Sequence, residues 1–332
     1  MLIEDSRIIK QINTNLIRKH MLDNIILSKT QLVELTELSF PTVNKIIEEL
    51  VIEGEVIDLG LQSSTGGRRA RAYKLNSDYA YTLSMFISKE KIIYNIKNVF
   101  GEVVIKGIKD GGCDFSIEDL DELIESLLKK YSQIKAIAIG VPGSVKDGII
   151  TYIDCYNDLQ GFELKNYIEG KYKRHVIVEN DMKAVTLGCY KEERQEDSQF
   201  ATIYLGHNGP GCGIIVNGKV VRGDREFAGE VGFLPMYNEN NLQDMALKGL
   251  TKDNVLDYLA RLVTVVAVII NPSRMVLYEN KLFPSPKEIE EACYDYLPRK
   301  EVPKIIISAK YERHYLEGLH FLAQELIYPG FY

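Results

Sequence analysis

The sequence predicts an α/β protein: an N-terminal winged helix-turn-helix followed by a larger, duplicated body of two lobes. Three observations carry this. Before residue 53, apolar residues recur at helical spacing in three segments, and two short strand-like runs follow. From residue 79 the pattern changes to three consecutive strands, then to alternating helix and strand. The same succession begins again at Phe200.

Residues 3–25 read as the first helix, with Ile8, Ile9, Ile12, Leu16, Ile17, Met21 and Ile25 at three- and four-residue steps. A second helix starts at Ser28, where Gln31 can reach back as in a capping box, and runs to about Leu38. Ser39 then serves as N-cap of a third, with Pro41 in its first turn and Phe40, Val43, Ile46, Ile47 and Leu50 on one face. Gly54 ends it. Val56–Leu59 and Ala72–Leu75 read as strands around a polar loop, residues 60–71.

The tight turn between helices two and three fits a DNA-binding arrangement. On the third helix Pro41, Thr42, Asn44 and Lys45 fall off the apolar face, near the end that would enter a major groove. Residues 61–77 hold Arg68, Arg69, Arg71 and Lys74 and no acid, a patch suited to phosphates. A small helical protein-interaction domain is the competing reading.

In the body, strands are expected at 81–88, 91–99, 102–108, 135–141 and 175–179, with helices at 116–131, 163–172 and 181–193. The second round places strands at 201–205, 213–216, 219–221, 275–278 and 304–307, with helices within 242–270 and at 286–296 and 312–327. Two lobes facing each other leave a cleft for a ligand. The domains are therefore read as 1–75 and 76–332, the latter with lobes of about 76–195 and 196–332 and the C-terminal helix packing back on the first lobe.

The chain is 45% hydrophobic and 26% charged, ordinary values for a packed core. The net charge of −7 belongs wholly to residues 76–332, because residues 1–75 hold ten Lys/Arg against ten Asp/Glu. The five cysteines are irregularly spaced with no C-x-x-C pair, and the five histidines are scattered, so neither a disulfide framework nor a metal site is expected. No basic-then-apolar leader opens the sequence and the longest apolar run is short, so a cytoplasmic protein without membrane contact is expected.

Three clusters carry chemistry. In Val178-Glu-Asn-Asp-Met, Asn180 and Asp181 sit where a strand gives way to a helix, the place where α/β folds put ligand groups. Asp181 can act as base or acceptor toward a sugar hydroxyl, or simply cap the helix. Gly209, Gly211 and Gly213 form a glycine-rich run between two strands that could cradle a phosphate or merely turn a hairpin. Glu230, between two glycines just after a strand, can accept from neighbouring sugar hydroxyls.

In this order the features resemble the ROK family of sugar-responsive repressors and sugar kinases on the actin-like ATPase (ribonuclease H-like) fold. The motifs are Gly66-Gly-Arg-Arg-Ala-Arg, Ile139-Gly-Val-Pro-Gly, Val178-Glu-Asn-Asp, the 209–213 glycines and Gly229-Glu-Val-Gly. The resemblance implies a sugar or sugar-derivative effector held by Asn180, Asp181 and Glu230. Asp181 stands at the family's catalytic-base position, and Asn157 or Asp158 of Asp158-Leu-Gln-Gly-Phe stands where the family has a sugar contact. It also implies a double-stranded DNA operator and a homodimer or higher homo-oligomer.

The departures are informative. The family's Asp-x-Gly-x-Thr phosphate loop is replaced by Thr82-Leu-Ser-Met-Phe-Ile-Ser-Lys. Phe233 stands for the family histidine, residues 233–246 lack the zinc-binding cysteines, and Ser308-Ala309 replaces the adenosine-binding Gly-Gly. The expectation is thus a regulator with a degenerate, non-catalytic kinase-like body and no cofactor. An active ATP-dependent sugar kinase and a regulator without any small ligand are the alternatives.

Overall fold

The computed structural model describes every residue except 1, 62–69, 89–90, 112–115, 154–158, 193–197, 207–208, 237–240 and 331–332. The first group of elements is α1 (Leu2–Asp23), β1 (Leu27–Ser28), α2 (Lys29–Thr36), α3 (Phe40–Ile52), β2 (Val56–Leu61) and β3 (Arg71–Leu75). Ser28 and Gln31 form a reciprocal capping box on α2, and Ser39 caps α3 through the Thr42 N–H. The strands make an antiparallel sheet in the order β1-β3-β2. Ile17, Met21, Leu32, Val43, Ile47, Leu50 and Tyr73 pack into a core of their own beneath it. The two-residue β1 escapes sequence reading because it is too short to show a period.

The first lobe of the body contains β4 (Tyr81–Ile87), β5 (Lys91–Lys97), β6 (Val103–Asp110), α4 (Ile117–Lys130), β7 (Ile134–Val141), β8 (Gly143–Lys146), β9 (Ile149–Ile153), α5 (Leu164–Tyr172), β10 (His175–Asn180) and α6 (Asp181–Glu192). The second contains β11 (Gln199–Gly206), β12 (Gly209–Val216), β13 (Lys219–Val220), α7 (Leu242–Leu247), α8 (Val255–Ile270), β14 (Arg274–Tyr278), α9 (Pro286–Cys293), β15 (Lys304–Ser308) and α10 (Tyr311–Ile327). Their sheets run β6-β5-β4-β7-β10 and β13-β12-β11-β14-β15. In each, the first three strands are antiparallel and the last two join in parallel. The duplication is therefore visible strand for strand.

The helices that follow the last strands, α6 and α10, cross between the sheets. Gly188 and Gly318 make the crossing possible, each eight positions into its helix. A Cβ on Gly188 would fall 1.8 Å from the His314 carbonyl oxygen, and one on Gly318 1.8 Å from that of Ala184. A shared core that includes Phe86, Ala138, Ala184, Phe200, Val276, Tyr315 and Leu319 fuses the lobes around this crossing. The far end of α10 meets α1. Asn15 Nδ2 donates to the Pro329 carbonyl at 2.7 Å, and the Arg18 guanidinium, bonded to both Glu55 carboxylate oxygens at 2.6 and 2.7 Å, lies over the Tyr328 ring.

Residues 143–153, given no element in the sequence reading, form the β8–β9 hairpin. The glycines at 209–213, read as a phosphate cradle or a hairpin turn, lie within β12, paired to β11 with Tyr204 opposite Gly211 and Thr202 opposite Gly213, and Gly209 and Gly211 line the space between the lobes. Their small size admits α6, since a Cβ on Gly211 would sit 2.6 Å from Met182 Cγ and one on Gly213 1.7 Å from Thr186 Oγ1.

Candidate functional site

Between the lobes lies a cleft of about 770 Å³, lined by residues from both. Its acidic wall is built at the β10–α6 junction. Asn180 closes the strand, and its Oδ1 accepts from the Lys183 N–H at 3.0 Å, so Asn180 takes the capping role. Its Nδ2 donates to the Gly143 carbonyl at 3.0 Å and to Asp181 Oδ1 at 2.9 Å. Asp181 Oδ1 also accepts from the Met182 N–H at 2.8 Å. Burial raises the Asp181 carboxyl to about 7 against that backbone bond, and the charge of Glu230 adds to the rise.

Glu230 enters from the second lobe. It does not follow a strand as expected, but precedes a 3₁₀ turn at Val231–Phe233, well after β13. Ser144 Oγ donates to its Oε1 at 3.4 Å, and burial raises its carboxyl too. The structure thus brings Asn180, Asp181 and Glu230 together on one cleft, while Asn157 and Asp158 lie outside the described residues.

Behind this wall runs an ion cluster that sequence reasoning missed. Lys183 Nζ donates to the Glu226 carbonyl and carboxylate at 2.7 and 2.8 Å. Arg222 bonds the buried Glu179 and lies 3.6 Å from Glu226. The cluster ties the first lobe's β10–α6 junction to the segment that carries Glu230.

Another part of the lining is aromatic, and it too was missed. Phe86 stacks on Tyr315 with centroids 4.3 Å apart, and Tyr204 stacks on Tyr311 at 4.1 Å. Gly140 of the Ile139-Gly-Val-Pro-Gly motif makes room, since a Cβ there would meet the Tyr315 ring at 2.4 Å. Burial, followed by the charge of Asp181, holds the Tyr311 and Tyr315 phenols well above their ordinary value. The Tyr315 hydroxyl is buried without a hydrogen-bond partner. Such a hydroxyl gains from a polar ligand or a water.

Among the described residues, no Lys, Arg or His lines the cleft. Polyphosphate recognition rests on cations and close backbone donors. Here Phe86 of β4 stacks on Tyr315 in the stretch where the resemblance places the phosphate loop, and no described side chain in the lining offers a phosphate a cation. Residues 233–246 hold no Cys or His and do not fit the family's structural zinc.

At the other end of the molecule, Pro41 and Lys45 are exposed on α3. Thr42 is half-buried and shares a 2.8 Å hydrogen bond with Ser39. Asn44 is half-buried as well and accepts from Lys29 Nζ at 2.6 Å, which partly turns it from solvent. Arg71 is paired with Asp58 at 2.8 Å. Arg68 and Arg69 lie outside the described residues.

Comparison with known proteins agrees with this architecture. Residues 115–249 match the model of the ROK family. The chain is 33% identical over 247 residues to the xylose repressor of Caldicellulosiruptor bescii, a match covering 71% of this chain and 61% of that protein. It thus spans less than two thirds of that relative's length. In structure it superposes on a ROK family transcriptional regulator described as a homologue of the Escherichia coli MLC protein, with a TM-score of 0.73, 20% identity and 96% of each chain covered. The ROK hexokinase of Thermus thermophilus superposes with a TM-score of 0.59 at 17% identity, over 75% of this chain and 100% of that one. The duplicated actin-like body, its cleft and these matches identify the chain as carrying a ROK family domain.

Proposed function

We propose that this chain is a sugar-responsive, DNA-binding regulator of the repressor type, whose kinase-like body binds an unphosphorylated sugar without transferring phosphate to it. The observation that carries this is the cleft itself, lined by the carboxyls of Asp181, Glu230 and Asp244, by stacked aromatic rings and by no described cation. Carboxylates and an unpartnered hydroxyl suit the hydroxyl groups of a sugar, and aromatic faces suit its C–H surface. Among the described lining residues, a triphosphate or sugar phosphate would meet the Asp181 and Glu230 carboxyls and no cationic side chain.

The N-terminal helices and sheet are read as the winged helix-turn-helix, with α3 as recognition helix and Arg68, Arg69 and Arg71 on the phosphate backbone. Helix α10 supplies a route between ligand and DNA. It begins at Tyr311 in the cleft and runs about 25 Å to Tyr328 and Pro329, where Asn15 and Arg18 hold it. A sugar that draws the lobes together would shift this end and reset the spacing of paired winged domains on a two-fold operator, which requires a homodimer or higher oligomer.

Calorimetry with glucose, xylose and N-acetylglucosamine against their phosphorylated forms tests the ligand. Binding confined to the free sugars is expected; preference for a phosphorylated form would refute the reading. For DNA, replacing the three arginines with alanine should weaken binding to the cognate promoter and lower the salt slope by roughly 2 to 3. An unchanged slope in an anisotropy titration would remove the loop from the interface.

A further inference from the structure

The acid pair makes up only part of the lining of the cleft. At its mouth four large apolar side chains stand in solvent: Tyr152, Phe227, Phe233 and Leu247 are 55%, 51%, 55% and 60% exposed. Isolated exposed apolar residues are ordinary, but several that line one ligand cleft mark a binding surface. Phe227 and Phe233 form a pair with centroids 5.3 Å apart, tilted by 43°. Neither belongs to a hydrophobic core. Beside them Gln243 of α7, half-buried against Gly209 and Gly232, lines the same stretch and brings an amide donor and acceptor.

Resting on the sugar-sensing reading above, we infer that the cleft has a second subsite, formed by Phe227, Phe233 and Gln243, and that the effector is an oligosaccharide rather than a monosaccharide. Three features support this. A volume of about 770 Å³ lies in the upper part of the range that encloses drug-sized ligands, and one pyranose ring fills only a minor part of it. The acid pair is placed for the hydroxyls of a first ring, with Tyr204, Tyr311 and Tyr315 closing the inner end. The outer stretch offers flat aromatic faces and an amide, which match the C–H face and hydroxyls of a second ring. Both rings come from the segment between β13 and α7 that the ion cluster fastens to the first lobe, so the outer subsite is fixed relative to the acid pair.

The test compares xylose, glucose and N-acetylglucosamine with xylobiose, cellobiose and chitobiose by calorimetry, on the wild type and on a Phe227→Ala/Phe233→Ala variant. Both rings stand half in solvent, so their removal opens no core; an unchanged melting temperature of the unliganded variant verifies this. For at least one pair, the wild type is expected to bind the disaccharide about tenfold tighter, the contribution of stacking on two aromatic faces. In the variant that ratio should fall toward unity. Equal affinities within all three pairs on the wild type would overturn the second subsite while leaving the sugar reading intact. A disaccharide advantage that survives in the variant would overturn its placement. Binding of none of the six would overturn this inference together with the reading on which it rests.

Discussion

The two lobes share a strand order, a pattern of parallel and antiparallel pairing, and a glycine at the same step of the helix after the last strand. They differ at the junction that leads into that helix. In the first lobe β10 delivers Asn180 and Asp181 to the cleft; in the second, β15 is followed by Lys310 and Tyr311. Duplication has kept what close packing demands, because neither helix can move away without opening the shared core. It has not kept ligand chemistry, which needs only one face. At these matching junctions the first lobe brings an amide and a carboxyl to the cleft, and the second brings the ring of Tyr311.

The largest effect should come from breaking what the lobes share. Gly188→Val and Gly318→Val each place side-chain atoms on the partner helix's backbone, and each should cost about 3 kcal/mol or more in a urea titration. Comparable losses are expected, since the crossing is symmetric. Tolerance of either substitution would show that the helices are free to part.

Breaking what the lobes do not share should be milder for the fold and selective for the ligand. Above pH 7, where the Asp181 carboxyl is ionised, Asp181→Asn replaces a charge-assisted bond by a neutral one and should weaken sugar binding about tenfold. Lys310→Ala, at the matching junction of the second lobe, should leave that affinity unchanged, because Lys310 is exposed and pairs with Glu192 at the protein surface. Equal losses from the two would erase the proposed asymmetry.

A smaller signal lies in the pH dependence of the unliganded protein. The Asp181 carboxyl is raised to about 7 from an ordinary 3.8. The folded state therefore keeps its proton where the unfolded state has lost it, and stability falls as pH rises through this window. Asp181→Asn should flatten the decline between about pH 4 and 7. An unaltered slope would mean that Asp181 is solvated.

The backbone architecture was largely legible because its signals are local. Ser28 with Gln31, and Ser39 with Pro41, announce helix starts within four residues, and the second run of strands after Phe200 repeats the first. The β8–β9 hairpin was not legible, since Gly143–Lys146 and Ile149–Ile153 are short and carry no clean alternation. Asn180, Asp181 and Glu230 could be picked out from their motifs. Their supports could not: Lys183 meets Glu226, and Phe86 meets Tyr315, across separations that only the fold sets. Tyr315 falls inside the helix expected at 312–327 and Tyr311 just before it, and nothing in their spacing says that the helix borders a cleft. The glycines of β12 left two readings open for the same reason, because the sequence shows small residues without showing what approaches them.

The central claim is that the body binds a sugar and does not phosphorylate it. The direct measurement follows ADP release by full-length protein with Mg-ATP and a saturating concentration of whichever sugar binds by calorimetry. ADP release no faster than the sugar-free blank is expected, with sugar affinity unchanged by ATP. Sustained sugar-dependent turnover that disappears in Asp181→Asn would contradict the account and make the acidic wall that of an active kinase.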